Sequence, residues 1–227
     1  MFAYIPARGG SKRIPRKNLR ELGGEPILAR VVRNLCELEF LSAVYVSTDD
    51  HEIIRIASEA GAQCLELRAP ELSNDSAGFM DLIREDIPRF VRHSGGEEVL
   101  FVLATAALVP PALYNEAFNV WLKEQPDVLM SCEKAFPWWS MTQKADGYWW
   151  PLFPDNLFAN SQDQPPALDD AGLFYFFRQS VLARFKSVKM AERLLPFVVP
   201  DQFAGDIDTI EDWDLLEYRF SRLKASR

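Results

Sequence analysis

Apolar residues in this chain fall into short solid runs, separated by stretches where they recur every three or four positions. Solid runs of four to eight residues predict buried strands, and the spaced stretches predict helices. The strand candidates are FAYIP at 2–6, AVYVST at 43–48, QCLEL at 63–67, EVLFVLAT at 98–105, DVLMSCEKA at 127–135, GLFYFF at 172–177 and LPFVVP at 195–200. Helices are predicted over 26–38 behind Pro26, over 50–60 ending at Gly61, and over 75–92 with a kink at Pro88. Two more cover 110–124, opened by Pro110 and Pro111, and 208–225. Asp208 is the expected N-cap of the last helix, with Glu211 in the capping-box position. Strands alternating with helices predict an α/β chain, its parallel sheet covered on both faces.

The rhythm breaks between about 136 and 168. FPWWS and YWWPLF flank the turn formers Ala145, Asp146 and Gly147, the pattern of a hairpin. Trp138, Trp139, Trp149 and Trp150 are costly to leave in water. They either cover a core or meet another subunit.

Composition narrows the function. The 227 residues suit one sizeable domain, and no apolar run approaches the roughly 20 residues that span a bilayer. The first residues lack a secretory pattern, so the expected location is cytoplasmic, with no membrane partner. Cys36, Cys64 and Cys132 are scattered and odd in number, which fits buried thiols rather than a zinc site or disulfides. With only His51 and His93 in the chain, mechanisms that need a histidine base or a histidine-rich metal site are disfavoured. The net charge of −8 argues against a nucleic-acid partner. Yet residues 8–20 hold Arg8, Lys12, Arg13, Arg16, Lys17 and Arg20 and no acid. A concentrated positive loop in an acidic chain suits a small anionic ligand.

That loop, Pro6-Ala7-Arg8-Gly9-Gly10-Ser11-Lys12-Arg13-Ile14-Pro15-Arg16-Lys17-Asn18, follows the first strand directly. In open parallel sheets ligands collect beyond the carboxyl ends of strands. Gly9 and Gly10 allow close backbone approach and positive φ, and the exposed N–H groups can form an anion nest. Arg8, Lys12 and Lys17 add charge, while Ser11 and Asn18 add neutral donors. Neither GxxxxGK[ST] nor GxGxxG is present, so a P-loop and a dinucleotide fold are both disfavoured. A solvated basic loop with no ligand is the bland alternative.

Near the other end stands Asp206-Ile207-Asp208-Thr209. Residues two apart in an extended segment point to one face, so Asp206 and Asp208 present two carboxylates together. Like charges so placed invite a cation between them. Mg²⁺ suits one or two carboxylates plus substrate phosphates. Alternatively Asp208 only caps the helix.

Residues 6–18 resemble the N-terminal signature of the acylneuraminate cytidylyltransferases, the CMP-sialic acid synthetases. Enzymes that activate 3-deoxy-manno-octulosonate share the general plan. Asp206 to Trp213 is similar to that family's DxDT-x-x-D-W element. The resemblance implies a three-layer Rossmann-like nucleotide-diphospho-sugar transferase fold, mostly parallel, with an inserted hairpin element. It implies that the loop holds CTP: Pro6, Ala7 and Arg8 near the nucleotide, the backbone of Gly9 and Gly10 against it, and Ser11, Lys12, Lys17 and Asn18 facing the phosphates. Lys17, with Arg8 and Asp208, would stand closest to the chemistry. Asp206 and Asp208 would hold Mg²⁺, Arg68 would lie near the nucleotide, and the element at about 136–168 would mediate a homodimer.

Ala104-Thr105-Ala106, Ser161-Gln162-Asp163-Gln164-Pro165 and Asp170-Ala171-Gly172 resemble the pseudaminic acid cytidylyltransferases most. By that resemblance Thr105, Gln162, Asp163 and Asp170 face the sugar. Asn160 stands where that subfamily usually has arginine, Asp169 where it has histidine, and Ala107-Leu108 where it has Pro-Phe. These departures fall in the sugar half. Lys134, Lys144 and Arg178 are the nearest basic residues in sequence that could replace the missing arginine. The expected reaction is attack by the anomeric hydroxyl of a nine-carbon 2-keto sugar acid on the α-phosphorus of CTP, releasing pyrophosphate. The base is open: a metal-bound hydroxyl, or one of Asp206 and Asp208, could serve. The competing readings are a nucleotidyltransferase of the same fold for another sugar or nucleotide, and a non-catalytic nucleotide binder.

Overall fold

The computed structural model describes residues 1–225. Its centre is a sheet in the order β2-β1-β3-β7-β4-β8. The strands are β1 (Phe2–Pro6), β2 (Val44–Ser47), β3 (Glu98–Val102), β4 (Val128–Ala135), β7 (Ala167–Arg178) and β8 (Leu194–Val198). Neighbours run parallel except at β7, which is antiparallel to both β3 and β4. Strands β5 (Met141–Gln143) and β6 (Trp149–Pro151) form a separate hairpin.

Side chains alternate across each strand, and β1 shows both faces at work. Ala3 and Ile5 join one core with α1 (Ile27–Cys36), α2 (His51–Glu59), α5 (Pro111–Glu124) and α7 (Ile210–Ala225). Phe2 and Tyr4 join a second core with α4 (Ile87–Ser94), the residues before it, and α6 (Gln179–Leu182). The result is the three-layer, mostly parallel arrangement that the resemblance implies, with antiparallel β7 the departure from the parallel sheet that the alternation predicts. Each large side chain buried this way contributes about 1.5–3 kcal/mol. Trp121 and Trp213 are wholly buried. Trp213 also lies under the Arg20 guanidinium, 4.4 Å from its ring centre, which ties α7 to the end of the basic loop.

Several local expectations are corrected. Of the segment 63–67, only Gln63 pairs, as a bridge to Tyr45 on the sheet edge. The chain then rises to place the Arg68 amide on the Thr48 carbonyl, 2.8 Å away, beyond the end of β2. Strand β3 stops at Val102, and residues 103–105 turn across the sheet end. The helix expected over 75–92 starts only at α3 (Phe79–Asp81) and passes through a π-helical turn, Leu82–Asp86, before α4. Pro88 sits in the first turn of α4, where its missing N–H and its ring disfavour an uninterrupted α-helix.

The cap of α7 is also corrected. Thr209 Oγ1 accepts from the Asp212 amide at 3.2 Å, and an Asp212 carboxylate oxygen accepts from the amides of Thr209 and Asp208 at 2.8 and 2.9 Å. Thr209 and Asp212 therefore form the reciprocal cap in place of Asp208 and Glu211. These backbone bonds hold the Asp212 carboxyl below its ordinary range, and the Asp208 carboxylate is left for other work.

Candidate active site

A cleft of about 310 Å³ opens at the carboxyl ends of β1 and β3. Its walls include Pro6, Arg8, Ser11, Lys12, Lys17 and Asn18 from the loop. Arg68, Thr105, Asp206 and Asp208 reach it from three distant segments. The fold thus brings the two ends of the chain and the turn after β3 to one place, as expected where ligands collect in such sheets.

Strand β1 delivers the loop. Ala7 is buried, with its amide on the Ser47 carbonyl at 2.9 Å. Asn18, also buried, donates to the Arg8 carbonyl at 3.0 Å and closes the loop on itself. The glycines act differently from expectation, for neither Gly9 nor Gly10 has positive φ. Gly9 is needed for close approach: a Cβ there would lie 2.7 Å from the Asp50 carboxylate. Gly10 meets nothing within 4 Å. The left-handed residue of the loop is Arg16, at φ 56°.

The charges of the cleft neutralise one another across it. Arg8 pairs with Asp75 at 2.9 Å and also donates to the Asn74 carbonyl at 3.1 Å. Lys12 pairs with the other Asp75 oxygen, and these cations hold the Asp75 carboxyl below its ordinary range, Lys12 foremost. On the opposite wall Arg13 lies 2.7 Å from Asp208 Oδ2, and Lys17 Nζ lies 3.8 Å from Oδ1. Lys17 also donates to the Ile207 carbonyl. Burial lowers the Lys17 pKa while Asp206 and Asp208 oppose that shift. Burial raises the Asp206 carboxyl, and the Asp208 charge beside it pushes the same way. Asp206 Oδ1 accepts from the Ile207 amide at 2.7 Å.

Two buried polar groups complete the cleft. Arg68, 4% exposed, donates through Nε to Ser73 Oγ at 3.1 Å. The Thr105 hydroxyl is buried at the cleft and has no hydrogen-bond partner among the described residues. A buried hydroxyl left so is costly unless a ligand completes it. Under the cleft, Asp86 accepts from Tyr4, from Ser47 Oγ at 2.5 Å and from Arg89 Nε at 2.8 Å. This buried set pins β1, β2 and the π-helical turn together, and Leu82 of that turn lines the cleft.

The remaining sugar-side candidates lie elsewhere. Gln162 and Asp163 are exposed on a short 3-10 turn, where Asp163 accepts from Asn160 at 3.0 Å. They do not line the cleft. Asp170 does not line it either; its Oδ1 accepts from Tyr175 at 2.7 Å and from the Gly172 amide at 3.0 Å. A Cβ on Gly172 would be 3.6 Å from the Asp206 carboxylate. Among the three basic candidates, Arg178 is at the far end of the sheet, opposite Glu98 at the start of β3. Lys144 lies over the Trp150 ring of the hairpin, and Lys134 is exposed on β4. The cation near Asp170 is Lys189, 3.7 Å from Oδ2.

Sequence reasoning does not single out Asp75, Arg13 or Lys189 for a role. Asp75 stands in plain view as the first residue of the helix predicted over 75–92. Its pairing with Arg8 and Lys12, more than sixty positions earlier, is set by tertiary structure alone.

A basic loop and a pair of acids facing each other across the carboxyl end of a mostly parallel sheet define a nucleotidyltransferase-type fold. The solved CMP:2-keto-3-deoxy-manno-octonic acid synthetase complexed with CTP has this fold, with a TM-score of 0.70 over 97% of this chain and 98% of that one, at 17% identity. Residues 2–190 match the family model for cytidylyltransferases, and the chain belongs to that family. Pseudaminic acid cytidylyltransferase of Campylobacter jejuni subsp. jejuni serotype O:2 is 30% identical over 93% of this chain and 92% of its own length. N-acylneuraminate cytidylyltransferase A of Danio rerio is 30% identical over 97% of this chain. This chain spans 50% of that longer relative.

Proposed function

We propose that this chain transfers CMP from CTP to the anomeric hydroxyl of a nine-carbon 2-keto sugar acid of the pseudaminic or sialic type. The observation that carries the reading is the single cleft that gathers Arg8, Lys12, Arg13 and Lys17 against Asp206 and Asp208. Family membership and the two named relatives support the nucleotide and the sugar class.

In this reading the loop cations hold the triphosphate, with Arg8 and Lys12 exchanging Asp75 for phosphate oxygens. Lys17, fixed by the Ile207 carbonyl, is directed at the charge that grows on the α-phosphate. Arg68 and Thr105 complete the nucleotide and sugar contacts. The bond from sugar oxygen to α-phosphorus forms as the α–β bridge breaks, and pyrophosphate leaves. The hydroxyl proton passes to one of the two carboxylates, Asp206 or Asp208.

Asp206 and Asp208 fit a hard divalent cation. Among the described residues no third acid, histidine or cysteine joins them, which is the donor set Mg²⁺ takes when phosphates supply the rest. The Thr209–Asp212 cap leaves Asp208 available, and the like charge beside Asp206 is what a cation relieves. When bound, Mg²⁺ would neutralise phosphate charge and lower the pKa of the attacking hydroxyl.

The same reading includes a cytoplasmic homodimer. Trp139, Tyr148, Trp149 and Trp150 are 50–75% exposed, so the single chain does not use them as core. A second copy that covers them would place aromatic anchors at the centre of an interface.

The test is pyrophosphate release from CTP with pseudaminic acid, N-acetylneuraminic acid and octulosonate offered separately. Release with a nine-carbon acid and not with octulosonate is expected. Release with other nucleoside triphosphates in preference to CTP, or with no sugar acid, would overturn the reading. Asn160 and Asp169 favour a weaker hold on ordinary pseudaminic acid, because a neutral amide replaces a charge-assisted partner.

A further inference from the structure

Asp208 meets cations through both of its oxygens, and the two cations are not equivalent. Lys17 is 21% exposed and is anchored a second time on the Ile207 carbonyl, inside the segment that carries both acids. Arg13 is 70% exposed and reaches Oδ2 from the loop across the cleft. An ion pair so exposed is weakly held and readily exchanged. A metal ion bound between Asp206 and Asp208 needs an Asp208 oxygen, and Arg13 is the side chain that can yield one.

A guanidinium that leaves Asp208 does not lack an alternative. Arg13 lines the cleft with Ser11, Lys12 and Lys17, and its planar fork matches a phosphate better than an ammonium does. We propose that Arg13 is a phosphate-binding residue parked on Asp208 while the cleft is unliganded. Metal displaces it from the carboxylate, and triphosphate draws it away, so each ligand favours the other through one side chain. Such coupling is reciprocal by thermodynamic necessity. The inference rests on the proposed reading of the cleft as the CTP site and of Asp206 and Asp208 as the metal pair.

The experiment measures Mn²⁺ binding to the nucleotide-free chain by the electron paramagnetic resonance of the free ion, and CTP binding in chelator by calorimetry. Arg13→Gln is expected to bind Mn²⁺ roughly three- to fivefold more tightly than wild type, the scale of one exposed ion pair. It is expected to bind CTP in chelator several-fold more weakly. Lys12→Gln removes the same charge from the same loop, but its partner is Asp75. Its Mn²⁺ affinity should stay near wild type. The proposal is overturned if Arg13→Gln leaves Mn²⁺ affinity unchanged, if it leaves CTP affinity unchanged, or if Lys12→Gln tightens Mn²⁺ equally, which would reduce the effect to net charge. Asp208→Asn separates the two layers. If the nucleotide-free wild type binds no Mn²⁺, Arg13 withholds no carboxylate from metal and the proposal falls; if it binds Mn²⁺ indifferently to Asp208→Asn, the metal pair itself is wrong and Arg13 falls with it.

Discussion

At the cleft, charged side chains stand on the ends of buried strands; in the 136–168 segment, aromatic side chains stand on two three-residue strands that pair only with each other. The cleft inherits its geometry from the sheet. Pro6 ends a strand that is buried almost throughout, and Asp206 lies beside Gly172 of β7. The hairpin has no such support. Trp138 donates to the Pro165 carbonyl at 3.0 Å and packs on Phe153, while Trp149 and Trp150 stay outside. The contrast separates a site one chain can build from a surface that one chain leaves unfinished.

The sharpest way to test the first half of that contrast is Asp208→Ala. Metal-dependent turnover should fall below detection. The fold should survive, because the Thr209–Asp212 cap and not Asp208 starts α7. Circular dichroism and turnover together check this, and turnover that persists in excess chelator would refute a two-carboxylate metal site. Asp212→Ala is the complement. It should cost about 1 kcal/mol of stability through the lost cap, read as a lower denaturant midpoint.

Lys17→Ala comes next in size. Removing one preorganised donor at the developing charge typically costs about 10²–10³ in turnover. Binding of CTP should weaken less than turnover, since Arg8 and Lys12 remain. Near-normal turnover would show that Lys17 only braces the Ile207 segment.

The two halves of the molecule also differ in how legible they are in the amino-acid sequence. Strand β1 and its loop are readable because a solid apolar run ends in a dense, acid-free basic stretch. The pairing of that loop with Asp206 and Asp208 rests on resemblance, since nothing local links residues 17 and 208. Helix α7 is readable too, but its cap falls one residue later than the sequence pattern suggests. DIDTIEDW contains two overlapping cap patterns, and only the backbone bonds to Asp212 decide between them. The 63–67 segment is apolar enough for a strand and still forms none beyond the Gln63 bridge, the chain instead leaving the sheet edge toward the bond from the Arg68 amide to the Thr48 carbonyl. The sugar side is the least legible. Gln162 and Asp163 lie off the cleft in a single chain, and the cation beside Asp170 is Lys189, on a short 3-10 turn in a separate part of the sequence.

The hairpin half of the contrast is tested by Trp149→Ser combined with Trp150→Ser. Both rings are more than half exposed in the single chain, so the chain's own stability should change little. If a second copy covers them, light scattering at micromolar concentration should show a shift from dimer toward monomer. A wild-type chain that is already monomeric there would remove the interface and leave the exposed tryptophans without an account.

The smallest expected effect returns to the cleft. Asp75 occupies Arg8 and Lys12 before any ligand arrives. If the proposed triphosphate site is right, the ligand must displace that carboxylate to reach the same cations, and Asp75 competes with it as an internal anion. Asp75→Asn keeps the side-chain shape and removes the charge. The pairs are solvent-exposed and screened, so the gain is modest: CTP or pyrophosphate should bind roughly two- to fivefold more tightly in calorimetry. The advantage should shrink as salt is raised, because wild type loses its competing pair to screening as well. The opposite result is equally informative. If Asp75→Asn binds CTP more weakly at every salt concentration, Asp75 holds Arg8 and Lys12 in place for the phosphates instead of standing in for them. The self-neutralised cleft would then be a preformed one, rigid in the same sense as the strands beneath it.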